Sequence, residues 1–287
     1  MKIAWTIAFV STLSISWAQL THPKASPYSK VLQEVGLSTL TVEYSRPAMR
    51  GRTIFGDLVP YGRIWRVGAN ASTKFTVDTK VTVMDNVLPK GTYALYAFPN
   101  VDSWEVVFHT NTGHWGDGRT AYDPKEDAFR FEVVPESIPY PQENFLISFE
   151  DITHNTVNML WTWENTRIRI PIQVDTHSIM LKEISDKLEK HPTAQTYYEA
   201  ARYLQEQEME YSRALGYVNK ALELGGDTYY FYRVRSLIQA ALNDYKGAIA
   251  SAEKSMALAN GEGKDEFVRM NQKNITLWKN HLKKDKK

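Results

Sequence analysis

The chain has 287 residues, 43% of them hydrophobic and 23% charged, a balance that fits a globular protein and excludes disordered or collagen-like classes. Its 34 basic and 33 acidic side chains leave a net charge of +1, so there is no global case for nucleic acid or an anionic membrane as partner. The absence of cysteine removes disulfides, thiolate nucleophiles, iron–sulfur clusters and cysteine-based zinc sites together.

Residues 1–18 read as a secretory signal peptide. Lys2 supplies the positive start, Ile3 to Ile15 is mostly apolar, and Ser16-Trp17-Ala18 places small residues where a signal peptidase needs them, ahead of Gln19. The apolar run falls short of the roughly 20 residues of a membrane span. No later segment is apolar enough either, so the mature chain is expected to lack a transmembrane segment. The expected address is exported, either periplasmic or in the outer envelope and extracellular space.

Residues 19–175 are expected to form one β domain. Leu40-Thr-Val-Glu-Tyr44 alternates apolar with polar, the period of a half-buried strand. Phe75 to Val77 and Val81 to Val83 follow, with Asp85-Asn86 as a hairpin turn. Thr92 to Phe98, Trp104 to His109, Phe129 to Val134, Phe145 to Glu150, Val157 to Trp163 and Arg167 to Val174 continue the series. Many short strands without amphipathic helices between them predict an antiparallel β-sandwich. Trp161 and Trp163 share a sheet face, as core packing or as an aromatic platform for sugar.

Near Thr176 the period changes. Met180, Ile184 and Leu188 lie four apart, and Lys182/Asp186 and Glu183/Lys187 are i,i+4 ion pairs. Residues 176–192 therefore read as a connector helix, and 193–287 as an all-α domain. Within it, a shift of 34 residues aligns Tyr198 with Tyr232, Leu204 with Ile238, Tyr211 with Tyr245, Ala214 with Ala248 and Leu224 with Leu258. That period is the tetratricopeptide repeat's, a helix–turn–helix unit that buries its apolar face by stacking. Where the repeat usually has a small residue, the copies carry Arg202 and Ser236. The predicted fold class is α+β and multidomain: a sandwich followed by a tetratricopeptide-like helical array.

Charge is locally uneven. Residues 45–77 carry Arg46, Arg50, Arg52, Arg63, Arg66 and Lys74 against Asp57 alone. From Ser45 to Thr73 the chain reads SRPAMRGRTIFGDLVPYGRIWRVGANAST. This run, with Leu88-Pro-Lys-Gly-Thr-Tyr93 and the Trp104 strand, resembles the signature of DUF2911, a family of exported bacterial proteins of Bacteroidetes type. The resemblance covers roughly 37–174 and implies a compartment and an architecture, often with tetratricopeptide-like helices behind. It implies no activity and assigns no catalytic residue.

Guanidinium groups offer paired donors to carboxylate, phosphate or sulfate, and an indole adds a stacking face. Arg46, Arg52, Trp65, Arg66, Asn70 and Thr73 are therefore the candidate site for an anionic or glycan ligand. The alternative is that these groups satisfy the loop's own carbonyls while Trp65 plugs the end of the sandwich. His109, His114 and Asp117 are a candidate metal set, although their spacing matches no standard motif. No G-x-S-x-G, phosphate-loop, H-E-x-x-H or G-x-G-x-x-G motif occurs. No cofactor is predicted. The leading expectation is an exported binding or scaffolding protein whose repeats engage a protein or peptide through Tyr198, Arg202, Tyr232 and Arg235. The alternative is an enzyme or small-molecule receptor using the arginine-rich loop.

Overall fold

The computed structural model describes residues 22–116 and 119–284. The expected signal peptide and Asp117 lie outside the described residues. The chain divides into two units, one ending at Thr176 and the other starting at His177.

The first unit begins with a hairpin, β1 (Tyr28–Val35) and β2 (Ser38–Ser45), turned by Gly36 at φ 55°. Then come β3 (Thr73–Val77), β4 (Val81–Val83), β5 (Asn86–Leu88), β6 (Gly91–Phe98), β7 (Trp104–His109), β8 (Asp127–Val133), β9 (Glu136–Glu150) and β10 (Thr156–Val174). They form a six-stranded sheet ordered β1-β2-β3-β6-β7-β8 and a four-stranded sheet ordered β5-β4-β10-β9, with antiparallel pairing throughout.

Alternation builds the core. Leu40, Val42 and Tyr44 on β2, Phe75 on β3, Leu95 on β6 and Phe108 on β7 turn inward. They meet Phe145 and Ile147 of β9 and Met159, Trp161, Trp163, Ile168 and Ile170 of β10 in one cluster. Two sheets thus share a single apolar layer, the arrangement of a sandwich. Tyr44 ties them together, its hydroxyl accepting the Ile147 N–H at 3.0 Å. Trp161 and Trp163 are each 2% exposed, so both are core residues rather than a sugar platform.

Three details differ from the sequence expectation. The β4–β5 turn is Met84-Asp85, with Met84 at φ 51° and Asn86 already paired with Val83. The runs 157–163 and 167–174 are one strand. Register shifts around Glu164, itself at φ 54°, bend the ladder there without ending it. Strand β1 was not expected, because YSKVLQEV has a weak apolar face; it is an edge strand that buries only Val35 fully.

The second unit comprises α1 (Thr176–Lys190), α2 (Ala194–Glu206), α3 (Tyr211–Glu223), α4 (Tyr229–Ala241), α5 (Tyr245–Gly261) and α6 (Asp265–Lys284). Thr193 caps α2 by accepting the Thr196 N–H at 3.1 Å, and Asp244 caps α5 by accepting that of Gly247 at 2.9 Å. Ala214, Val218 and Ala221 of α3 pack with Ala201 and Leu204 of α2, while α5 presents Ala248 and Ala252 to Ile275 and Trp278 of α6. Small residues at these seams let neighbouring helices approach closely. Among the described residues, no helix is long and apolar enough to cross a membrane.

Candidate functional site

The segment between β2 and β3 makes no regular element, yet it is tied to both sheets. Its start pairs with β9: the Met49 N–H donates to Glu143 O at 2.8 Å, and the Phe145 N–H donates to Pro47 O at 2.9 Å. Its middle pairs with β6, where Trp65 and Ala97 exchange hydrogen bonds of 2.7 and 2.9 Å. Trp65 therefore enters the sandwich end with 7% exposure. It stacks on Trp163 at 6.1 Å and meets Phe55, Trp104 and Phe145 edge-on.

Most of the polar residues singled out from the sequence hold this segment together. Arg46 Nε donates to Phe145 O at 2.9 Å, and Arg52 donates to Met49 O and Ala48 O at 2.9 and 2.6 Å. Asn70, at φ 65°, donates to Ser26 O and Ser45 Oγ. The Thr73 hydroxyl donates to Val67 O. Gly68 sits at φ 140°, and a Cβ there would lie 2.8 Å from Ser45 O, so the backbone itself excludes a side chain.

Beside this frame lies a cavity of about 320 Å³. Trp65, Trp163, Val59 and Ile64 supply apolar wall, and Arg50, Arg52, Arg66 and Arg119 bring four guanidinium groups. The structure thus brings Arg52, Trp65 and Arg66 of the expected set to one cavity and places Arg46, Asn70 and Thr73 in its framework. Arg50 and Arg119 were not chosen from the sequence. Arg119 lies between β7 and β8, and no local pattern links it to the arginine-rich run.

The β7–β8 connection zips onto the same segment: the Ser72 N–H donates to His114 O at 3.4 Å, the Gly116 N–H donates to Asn70 O at 3.1 Å, and Ala71 bridges to Trp115. On the outer face of the six-stranded sheet this gathers Tyr96, His109, His114, Tyr122, Glu126 and Asp127. His109 is fully buried, with Nδ1 2.8 Å from Asp127 Oδ1 and Nε2 3.4 Å from Glu126 Oε2. His114 Nδ1 lies 3.0 Å from the Tyr96 hydroxyl. The Tyr122 hydroxyl donates to the second Asp127 oxygen at 2.9 Å, and Arg130 binds that oxygen while reaching Glu105 at 3.1 Å. Burial and the Asp127 hydrogen bond push the Tyr122 phenol far above its ordinary value. Burial also raises Tyr96, opposed by a hydrogen bond with Ser72 and by the charge of Arg66.

His109, His114 and Glu126 each place one ligand atom within 4.8 Å of the others, so these three could hold a metal ion. Sequence reasoning chose both histidines but not Glu126, which follows His114 by a loop. The usable signal was the alternation of β7, which puts Glu105, Val107 and His109 on one face.

In the helical unit, Tyr198 and Arg202 line a groove of about 340 Å³ with Tyr230, Arg233, Phe267 and Met270. Tyr198 is largely buried, stacked on Phe231 at 4.3 Å with planes 2° apart. Tyr232 and Arg235 do not join them: Arg235 donates to Ser251 Oγ at 2.9 Å and lies over the Tyr232 ring at 4.9 Å, on the side of α4 facing α5.

No curated protein matches the chain. A family model described as a protein of unknown function, DUF2911, matches residues 26–172, slightly more than half the chain and nearly all of the sandwich. The arginine-rich segment, the aromatic plug and the histidine-bearing face all lie within that span, and the chain belongs to the DUF2911 family.

Proposed function

We propose that this is an exported binding protein whose sandwich takes a small organic anion, such as an acidic sugar or another carboxylate-, phosphate- or sulfate-bearing molecule. The observation that carries this reading is the cavity of about 320 Å³ with four arginines on an aromatic and aliphatic wall. Apolar lining with a few convergent charged donors is how small-molecule sites combine affinity with orientation. Planar guanidinium groups match the paired oxygens of such anions. The apolar N-terminal run ending in Ser16-Trp17-Ala18 supports export.

The test is a thermal-shift and calorimetric screen of uronic acids, sugar phosphates, sulfated sugars and short carboxylic acids against the chain. A saturable ligand is expected, and Arg50→Ala and Arg119→Ala should each weaken it about 10- to 100-fold, in line with about 1.5–3 kcal/mol for a charged hydrogen bond. Both arginines are exposed, so the melting temperature should hold. Binding unchanged in both variants refutes the assignment.

A second reading concerns the helices. The 34-residue offset of α3 and α5, with the α2–α4–α6 groove, supports a tetratricopeptide-like array that engages a peptide. Tyr198, Arg202, Tyr230 and Arg233 are its contact residues. Capture of a discrete partner by the full chain, lost in Arg202→Glu with the helical melt intact, is the expected result.

A further inference from the structure

We propose that His109, His114 and Glu126 form a binding site for a divalent transition-metal ion. None of these three residues lines the arginine-lined cavity.

The Asp127 carboxylate accepts the Nδ1–H of His109 at 2.8 Å, which leaves the lone pair of that ring on Nε2. This Nε2 is buried and has no hydrogen-bond partner. It faces Glu126 Oε2 at 3.4 Å, so two electron-pair donors confront each other, the histidine one fully buried and the carboxylate partly exposed. A buried acceptor placed against a carboxylate is costly unless a cation lies between them. The separation suits one: two bonds of about 2.05 Å meeting at a tetrahedral angle put their outer ends roughly 3.3 Å apart.

The third ligand is similarly prepared. His114 Nδ1 lies 3.0 Å from the Tyr96 hydroxyl, and in the tautomer whose Nδ1–H donates to that oxygen the lone pair of the ring is on Nε2. All three residues offer a ligand atom within 4.8 Å of the other two.

The surrounding groups are those a metal site needs. Carboxylates bonded to the far nitrogen of a ligating histidine fix its tautomer and raise its basicity, and Asp127 does this for His109. Asp127 is itself held by Tyr122 and Arg130. Asn111 Nδ2 donates to both oxygens of Glu126, at 3.3 and 3.2 Å, and orients that carboxylate. Two imidazoles and one carboxylate form a three-ligand set that leaves a coordination position open, as suits zinc or ferrous iron. The sheet supplies the rigid half: His109 opposes Asp127 across β7–β8, and the β7–β8 connection brings His114 and Glu126 over it.

The test uses the full chain after chelator treatment, titrated with Zn²⁺ by competition calorimetry and with Co²⁺ by visible absorption. One equivalent should bind, raising the melting temperature. His114→Ala and Glu126→Gln should each weaken Zn²⁺ by more than about 100-fold, and Asp127→Asn by about 10- to 100-fold. His114 and Glu126 are only partly buried, so the metal-free variants should melt like the parent. The absence of saturable binding would overturn the proposal. Retention of one equivalent at parental affinity in both His114→Ala and Glu126→Gln would also overturn it, because the ion would sit elsewhere.

Discussion

Replacing Trp65 by alanine separates a structural plug from a ligand platform. Trp65 is 7% exposed and touches Phe55, Trp104, Phe145 and Trp163. A large aromatic side chain buries about 150–250 Å², which at about 25 cal/mol/Å² corresponds to roughly 4–6 kcal/mol of transfer free energy. Alanine keeps part of this and the site relaxes partly, so the expected loss is about 3–5 kcal/mol. Trp65→Phe keeps an aromatic ring and should lose clearly less. The 3.3 Å bond from Nε1 to Gly68 O adds little at that length.

The assay is denaturant unfolding followed by near-ultraviolet circular dichroism. The tryptophan bands of that signal report mainly the sandwich, because Trp65, Trp104, Trp161 and Trp163 are core residues there and Trp278 is the helical unit's single tryptophan. Far-ultraviolet ellipticity at the helical minimum follows the other unit independently. A Trp65→Ala loss below about 1 kcal/mol would refute the plug, given the cost range for deleting a buried aromatic. Loss of anion binding in that case would make Trp65 a ligand surface instead.

Two further outcomes follow from the same packing logic. Gly68→Ala forces a Cβ onto Ser45 O from a backbone conformation that suits glycine, so the sandwich should lose about 1–3 kcal/mol in the same denaturation experiment; an unchanged midpoint would contradict the geometry. Tyr198→Ala removes a ring stacked on Phe231 and should lower the far-ultraviolet transition by about 3 kcal/mol. Tyr232→Ala, on a half-buried ring over Arg235, should cost no more than about 1 kcal/mol, close to the value of an exposed cation–π pair.

The strands most legible in the sequence were those with strict alternation. Leu40-Thr-Val-Glu-Tyr44 buries every second residue, as its pattern requires, and the change of period at Thr176 coincides with the start of α1. Strand β1 was missed because an edge strand needs little apolar content. The division of β10 at Glu164 failed for a related reason: a bulge and the end of a strand present the same break in alternation. The arginines were legible as a local charge excess, but their individual roles were not. Arg46 donates to a carbonyl 99 positions away, a partner that no local pattern discloses.

Local chemistry decided this protein's composition-level properties: no thiol chemistry, an arginine-rich run from Ser45 to Thr73, β structure before Thr176 and helices after it. These depend on residue identity and on periods of 2 or 3.6, which are read over a few neighbours. The sites depend on distance. Trp65 meets Trp163 because one segment is hydrogen-bonded to both sheets, and Glu126 meets His109 because register across β7–β8 and the length of one connection place them together. Those encounters are set by where backbone hydrogen bonds are satisfied far along the chain, so tertiary structure alone turned a charge excess into a cavity and two histidines into a three-ligand cluster.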